Sequence, residues 1–208
     1  RPKTEEIERR MMEPAYKGAI VIEPKKGIHS NILVWDFASL YPTIIASHNI
    51  SPETFNCEHP ECRRKNKVPE HEWHFCVKEK GFIPKHIEEL IVGRKKLKKL
   101  LKSLPKDSEE WKRVYYTQYA FKVIANAIYG YMGFFGARWY KRECGASTTA
   151  FERHYIKRII ELAKQQGFEI IYGVTDSLMA RIPGIEDIEV LKKKGEEFAK
   201  LVNSKLPG

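Results

Sequence analysis

Nowhere does the sequence hold an apolar run approaching the roughly 20 residues of a membrane-spanning helix, and no basic stretch leading into an apolar one opens it as a secretory signal would. Neither membrane insertion nor export is expected; a cytoplasmic protein is. Cysteine is scarce: Cys57, Cys62, Cys76 and the distant Cys144 are too unevenly spread for the disulfide framework of a small secreted domain. Internal repeats and low-complexity tracts are also missing. Acidic residues are in deficit, 27 against 37 lysines and arginines, for a formal net charge of +10. That balance favours a polyanionic partner, most often nucleic acid, although ribosomal and acid-binding proteins share it.

What is present suffices for one compact domain with an appendage or two small domains, since 42% of the 208 residues are hydrophobic. Residues 1–30 are polar and charged, "EPKKGIHS" reads as turn, and this part is expected to be a lead-in rather than a core element. "NILVWDFASLYPTIIASHNISPETF" predicts a short buried strand over residues 32–37, with Asp36 at its end. A helix follows in whose first turn Pro42 is tolerated. In "PKHIEELIVGRKKLKKLLKSL" the apolar positions Ile87, Leu90, Ile91, Leu97, Leu100 and Leu101 recur at helical spacing, while Arg94, Lys98 and Lys102 step by four along another face. "PKDSEE" supplies a turn and a cap, so "EEWKRVYYTQYAFKVIANAIYGYMG" predicts a second helix returning antiparallel to the first, with Lys122, Asn126 and Tyr129 on one stripe. "TTAFERHYIKRIIELAKQQG" predicts a helix ended by Gly167, and a last helix is expected from about residue 186 to 203. Between them "EIIYGVTDSLMARIPG" reads as a hairpin whose polar tip, Thr175-Asp176-Ser177, carries a carboxylate.

Taken singly, each feature has an ordinary explanation. A basic helix face is usually only solvated, and an aspartate at a strand end is often a turn former. Their order is more telling: a carboxylate on a strand, paired basic helices, then a carboxylate on a hairpin. Chemistry on a nucleoside triphosphate needs that set, with carboxylates to hold Mg²⁺ and cations to hold phosphates.

Three stretches in the same order carry a resemblance. "DFASLYPTII" from Asp36, "KVIANAIYG" from Lys122 and "YGVTDS" from Tyr172 resemble the three polymerase motifs of family B DNA polymerases, and "GFIPKHIEELIVGRKKLKK" and "GARWYKRECGASTTAFERHYI" are similar to its archaeal branch. The resemblance covers nearly the whole chain. It implies an α+β fold: a palm with an antiparallel sheet and packed helices over residues 1–50 and 130–208, and a fingers domain of two antiparallel helices, with the cysteine-containing loop, over 51–129. It implies DNA-directed DNA polymerase chemistry with dNTPs and primer-template DNA. Asp36 and Asp176 would hold two Mg²⁺ ions close together, with Phe37 also at the metal. The backbone of Ala38, Ser39 and Leu40 would cradle the triphosphate, and Tyr41 would exclude a ribose 2′-hydroxyl. Arg94, Lys98 and Lys122 would meet the β- and γ-phosphates. Asn126 and Tyr129 would line the nascent base-pair pocket, and Gly130 would let the template approach.

Two departures qualify what the resemblance implies. The family normally has aspartate where this chain has Val174, so the third motif keeps one carboxylate of two. Either catalysis survives on Asp36 and Asp176 at a reduced rate, or the chain is an inert DNA-binding or architectural subunit. Family members also carry an N-terminal portion with a 3′–5′ exonuclease, the last palm strands and a thumb. These are expected on another portion or polypeptide, leaving the isolated chain inactive or weak. The loop "NCEHPECRRKNKVPEHEWHFCVKEKGF" is open to more than one reading: Zn²⁺ held by Cys57, Cys62 and Cys76 with His59, His71 or His74, or else free thiols or a disulfide from Cys76 to Cys57 or Cys62, the disulfide being what the archaeal resemblance also suits. A zinc-stabilised basic module using that loop for contacts is a third and weaker functional class.

Overall fold

The computed structural model describes residues 2–206. They form two compact units, Arg1–Lys17 with Tyr41–Thr149, and Gly18–Leu40 with Ala150–Gly208. In chain order the elements are α1 (Thr4–Met11), β1 (Val21–Ile22), β2 (Leu33–Asp36), α2 (Leu40–Ser47), α3 (Cys62–Lys65), α4 (Phe82–Leu101), α5 (Glu109–Gly133), α6 (Arg142–Gln165), β3 (Glu169–Val174), β4 (Ser177–Arg181) and α7 (Ile188–Lys205). The fold is α+β, as expected.

The second unit is built on one antiparallel sheet in the order β1-β3-β4-β2. Successive strand residues point to opposite faces, and one face carries Leu33, Trp35, Ile170, Leu178 and Ala180. Ile159 and Ala163 of α6 and Phe198 and Val202 of α7 close over them to make the core. Trp35 stands edge-on to Phe168 and Phe198, at 5.2 and 5.1 Å between ring centroids, and its indole N–H donates to the Gly195 carbonyl at 3.2 Å. At Gly195 a Cβ would lie 3.0 Å from both Leu33 methyls, so glycine lets α7 approach β2 this closely.

Two local expectations are corrected. The strand predicted over residues 32–37 is shorter and not buried throughout: it alternates, with Val34 58% exposed, because only one face of this antiparallel sheet meets the core. The supposed lead-in also holds structure. Val21 and Ile22 pair with Val174 and Gly173 as a short edge strand, and residues 4–11 form a helix held by the Glu6–Arg10 pair at 2.5 Å.

In the first unit α4 and α5 run antiparallel. Arg94 Nε donates to Gln118 Oε1 at 3.3 Å and Gly93 abuts the Phe121 ring, so partners step backwards along α5 from the connection at 102–108. The second helix starts where the sequence placed it: Ser108 accepts from the Trp111 N–H at 3.1 Å, and Glu109 and Glu110 sit at the positive helix end. Within the same unit Arg10 reaches the carbonyls of Phe135 and Ala137 at 3.0 and 2.8 Å and lies over the Tyr140 ring.

The core placement has a direct test by urea denaturation. Leu178, 1% exposed, should lose roughly 2–5 kcal/mol on substitution by alanine with an unchanged denaturant slope. Val34→Ala on the open face should change stability by less than about 0.5 kcal/mol. Equal effects would mean the sheet is buried on both faces.

Candidate catalytic site and cysteine cluster

Sheet register aligns Val21, Val174, Ser177 and Asp36 in one row across the four strands, on the face opposite the core. Asp36 ends β2 and is exposed. The β3–β4 turn consists of Thr175, at φ +48°, and exposed Asp176. One step beyond the Asp36–Ser177 pair, the Phe37 N–H donates to the Asp176 carbonyl at 2.7 Å, which sets the backbone of Asp176 beside the end of β2. Val174 lies two strands from Asp36, roughly 10 Å at the usual strand spacing. Exposed carboxylates on adjoining segments offer hard oxygen ligands of the kind Mg²⁺ takes, together with water. Valine at 174 adds none.

After Phe37, Ala38 and Ser39 turn the chain, Ser39 with φ +56°, and Leu40 opens α2. These residues and Asp176 belong to the second unit. The remaining nucleotide-side candidates belong to the first. Tyr41 packs on Tyr129 with 4.4 Å between ring centroids, and the Tyr129 hydroxyl lies 3.3 Å from that of Tyr16. Arg94 is half-buried against Gln118, whereas Lys98, Lys122, Asn126 and Gly130 are exposed.

One acidic residue of the second unit was missed from the sequence. Glu152 of α6 is fully buried, accepts from the Ile20 N–H through Oε2 at 3.3 Å, and has no hydrogen-bond partner at Oε1. Burial pushes its carboxyl up to about 7; the Ile20 N–H and Arg153 oppose the rise, and the charge of Asp176 adds to it. A signal was there to find. Glu152, Ile156, Ile159 and Ala163 follow helical spacing and are all buried, so an acid stands in the apolar stripe.

A separate cluster lies in the first unit. Ligand atoms of Cys57, His59, Cys62 and Cys76 all fall within 4.8 Å of one another, and Cys76 Sγ is 3.4 Å from His59 Nδ1. Of the three histidines considered, only His59 joins: His74 bonds the Cys57 carbonyl through Nε2 at 2.9 Å, and His71 stacks flat on Trp73. All four cysteines of the chain are free thiols, so no disulfide joins Cys76 to Cys57 or Cys62. Burial pushes Cys57 up to about 11; burial acts the same way on Cys76, yet the Glu79 and Lys78 N–H groups, His59 and Cys57 bring it down to about 7. Cys144 is buried apart, its thiol raised by burial.

Comparison with known proteins places the chain in a family. The model for DNA polymerase family B matches residues 2–207, and the chain belongs to that family. It is 44% identical over 209 residues to a DNA polymerase of Thermococcus sp. (strain 9oN-7) and 43% over 208 residues to DNA polymerase 1 of Pyrococcus abyssi; in both the match covers 100% of this chain and 26% of the relative. Among solved structures, the family B DNA polymerase of the hyperthermophilic archaeon Pyrobaculum calidifontis aligns with a TM-score of 0.67 at 42% identity, over 89% of this chain and 24% of that one. The chain thus spans about a quarter of the length of these relatives. Among the described residues no helix is long and apolar enough to cross a membrane.

Glu152 yields a pH signature. Unfolded chains release its proton near 4.5 and the folded one holds it to about 7, so the unfolded state binds fewer protons and stability falls as pH rises through that window. In thermal melts, Glu152→Gln should track the parent below about pH 4.5, gain on it up to pH 7, and keep a constant lead above. Parallel curves across the whole range would place Glu152 in water.

Proposed function

We propose that this chain is the catalytic palm and fingers core of a DNA-directed DNA polymerase, adding dNTPs to a primer 3′-hydroxyl. The observation that carries the reading is the register that sets Asp36 and the Asp176 turn side by side on the open face of the sheet. Residues 1–50 and 130–208 make the palm in this reading, and 51–129 the fingers. The residues present fit Mg²⁺: two exposed carboxylates and the Phe37 backbone supply oxygen donors, and a Mg²⁺ site needs only one or two carboxylates, with water and substrate phosphate completing it. Bound Mg²⁺ supplies a lowered pKa at the attacking hydroxyl and neutralises charge on the leaving pyrophosphate.

The side chains do the rest. Backbone N–H groups of Ala38, Ser39 and Leu40 hold phosphate oxygens at the start of α2, where the helix end is positive. The Tyr41 ring, fixed against Tyr129, takes the space a 2′-hydroxyl needs. Arg94 grips phosphate with a planar fork that its bond to Gln118 orients, and Lys98 and Lys122 add point charges. Asn126 and Tyr129 contact the nascent pair, and Gly130 leaves room for the template, since a Cβ there would meet nothing within 4 Å. Other portions of the polymerase supply the exonuclease, the remaining palm and the thumb.

Val174 favours a second reading, an inert polymerase-like subunit that binds DNA. Single-nucleotide incorporation with the remaining polymerase portions present separates the two. In the enzyme, Asp36→Asn and Asp176→Asn should each lower incorporation by about 10²–10³-fold or more. Lys122→Ala should raise the nucleotide requirement far more than it weakens DNA binding. Val174→Asp should raise incorporation and lower the Mg²⁺ concentration needed, with duplex affinity unchanged because that affinity is spread over many basic contacts. A parent no faster than its Asp36→Asn form is the inert subunit; coincident Mg²⁺ curves for Val174 and its aspartate variant remove residue 174 from the metal site.

A further inference from the structure

The cysteine cluster is given no part in the nucleotide addition proposed above, yet its four ligand atoms are gathered within 4.8 Å of one another. Tetrahedral Zn²⁺, with bonds of roughly 2.3 Å to sulfur and 2.0–2.1 Å to nitrogen, needs ligand atoms roughly 3.5–3.8 Å apart. Cys76 Sγ and His59 Nδ1 stand at 3.4 Å, and the whole set lies within 4.8 Å. We propose that Cys57, His59, Cys62 and Cys76 form a closed structural Zn²⁺ site that fixes the start of α4.

Four protein ligands fill the tetrahedron and leave no open position for chemistry. The spacing C-x-H-x2-C followed by C after thirteen residues draws three ligands from one short stretch and the fourth from across the loop. Backbone donors are already aimed at sulfur: the Val77 N–H at Cys62 Sγ and the Glu79 N–H at Cys76 Sγ, each at 3.4 Å. Such donors offset the charge of thiolates around a metal. A disulfide needs sulfurs about 2.05 Å apart, would use two thiols of three and would give His59 no role. Metal uptake releases the three thiol protons to solvent and changes no oxidation state.

The mechanical consequence runs through Asn49. Its Nδ2 donates to the carbonyls of Cys76 and Glu79 at 2.8 and 2.7 Å, and its Oδ1 accepts from the Gly81 N–H at 2.8 Å. Gly81 is the N-cap of α4. Between α2 and α4 there is only a 3₁₀ turn at Pro52–Thr54, the short α3 and the isolated bridges Phe55–Phe75 and Lys67–His74, so a metal anchors a segment with little regular structure.

Metal content decides. The polymerase containing this chain, purified reduced and without chelators, should hold about one zinc per chain by mass spectrometry. Co²⁺ exchanged into the site should show the absorption of a tetrahedral thiolate centre. Cys57→Ser and His59→Ala should each weaken zinc binding at least about 10-fold. His59→Cys should keep the stoichiometry and strengthen the sulfur-to-cobalt band, and Cys144→Ser should change nothing. Zinc removal by a strong chelator should lower the melting temperature by about 10 °C. Reduced protein without stoichiometric metal, a pair of thiols oxidised in the native protein, or zinc affinity unaltered in both Cys57→Ser and His59→Ala overturns the proposal. Should Cys57→Ser fail to fold, the cobalt spectra of parent and His59→Cys carry the decision.

Discussion

Everything proposed for the catalytic face depends on how β2 lies against β4. Trp35 and Leu33 have to enter the core, where the indole meets two phenylalanine rings and donates to Gly195. Because strand residues alternate, that requirement turns Asp36 outward opposite Ser177 and lets the next step of the ladder reach the Asp176 turn. A slip of one residue would bury the carboxylate and expose the tryptophan, two costs that reinforce each other. The position of the acidic pair is therefore decided by apolar packing on the other side of the sheet, not by attraction between acids, which repel.

That repulsion bears on the composition of the site. Asp36 and Asp176 sit in water on the open face, whereas Glu152 is enclosed and its carboxyl feels Asp176. A further carboxylate at 174 would add like charge to a region where one acid already has no hydrogen-bond partner at Oε1. The aliphatic residue reduces this strain and, in the enzymatic reading, weakens the pull on a divalent cation. In that reading the two effects oppose each other, and the row's electrostatics balance fold stability against the proposed metal affinity.

Sequence reasoning reached the long elements most fully. The span of α5 was legible to the residue because a serine cap, two glutamates and a sustained helical period agree there. The hairpin was legible from its apolar flanks and polar tip. The short edge strand β1 was not: two residues offer no period, and their pairing is decided by the distant Val174 and Gly173. The cluster was half legible, since cysteine spacing named the sulfurs but could not say which histidine faces them; only the fold turns His71 onto Trp73 and His74 onto a carbonyl. Glu152 went unread because a helix rich in acids and bases makes one more glutamate look like surface. The outward direction of Asp36 went unread, because in sequence the strand reads as buried throughout, and its closeness to Asp176 needed the pairing of β2 with β4.

Positions 173 and 174 are neighbours with opposite structural tolerance. A Cβ at Gly173 would come within 2.8 Å of the Ile22 side chain and 3.3 Å of the Ser177 carbonyl, so a larger residue there has to displace Ile22 and press on the β3–β4 ladder. Position 174 is half-exposed on the outer face, and its ladder partners hold it through the backbone. Two of the four valine codons lie one base from an aspartate codon. The charge of this row can thus change at position 174 without a new side chain having to enter the core.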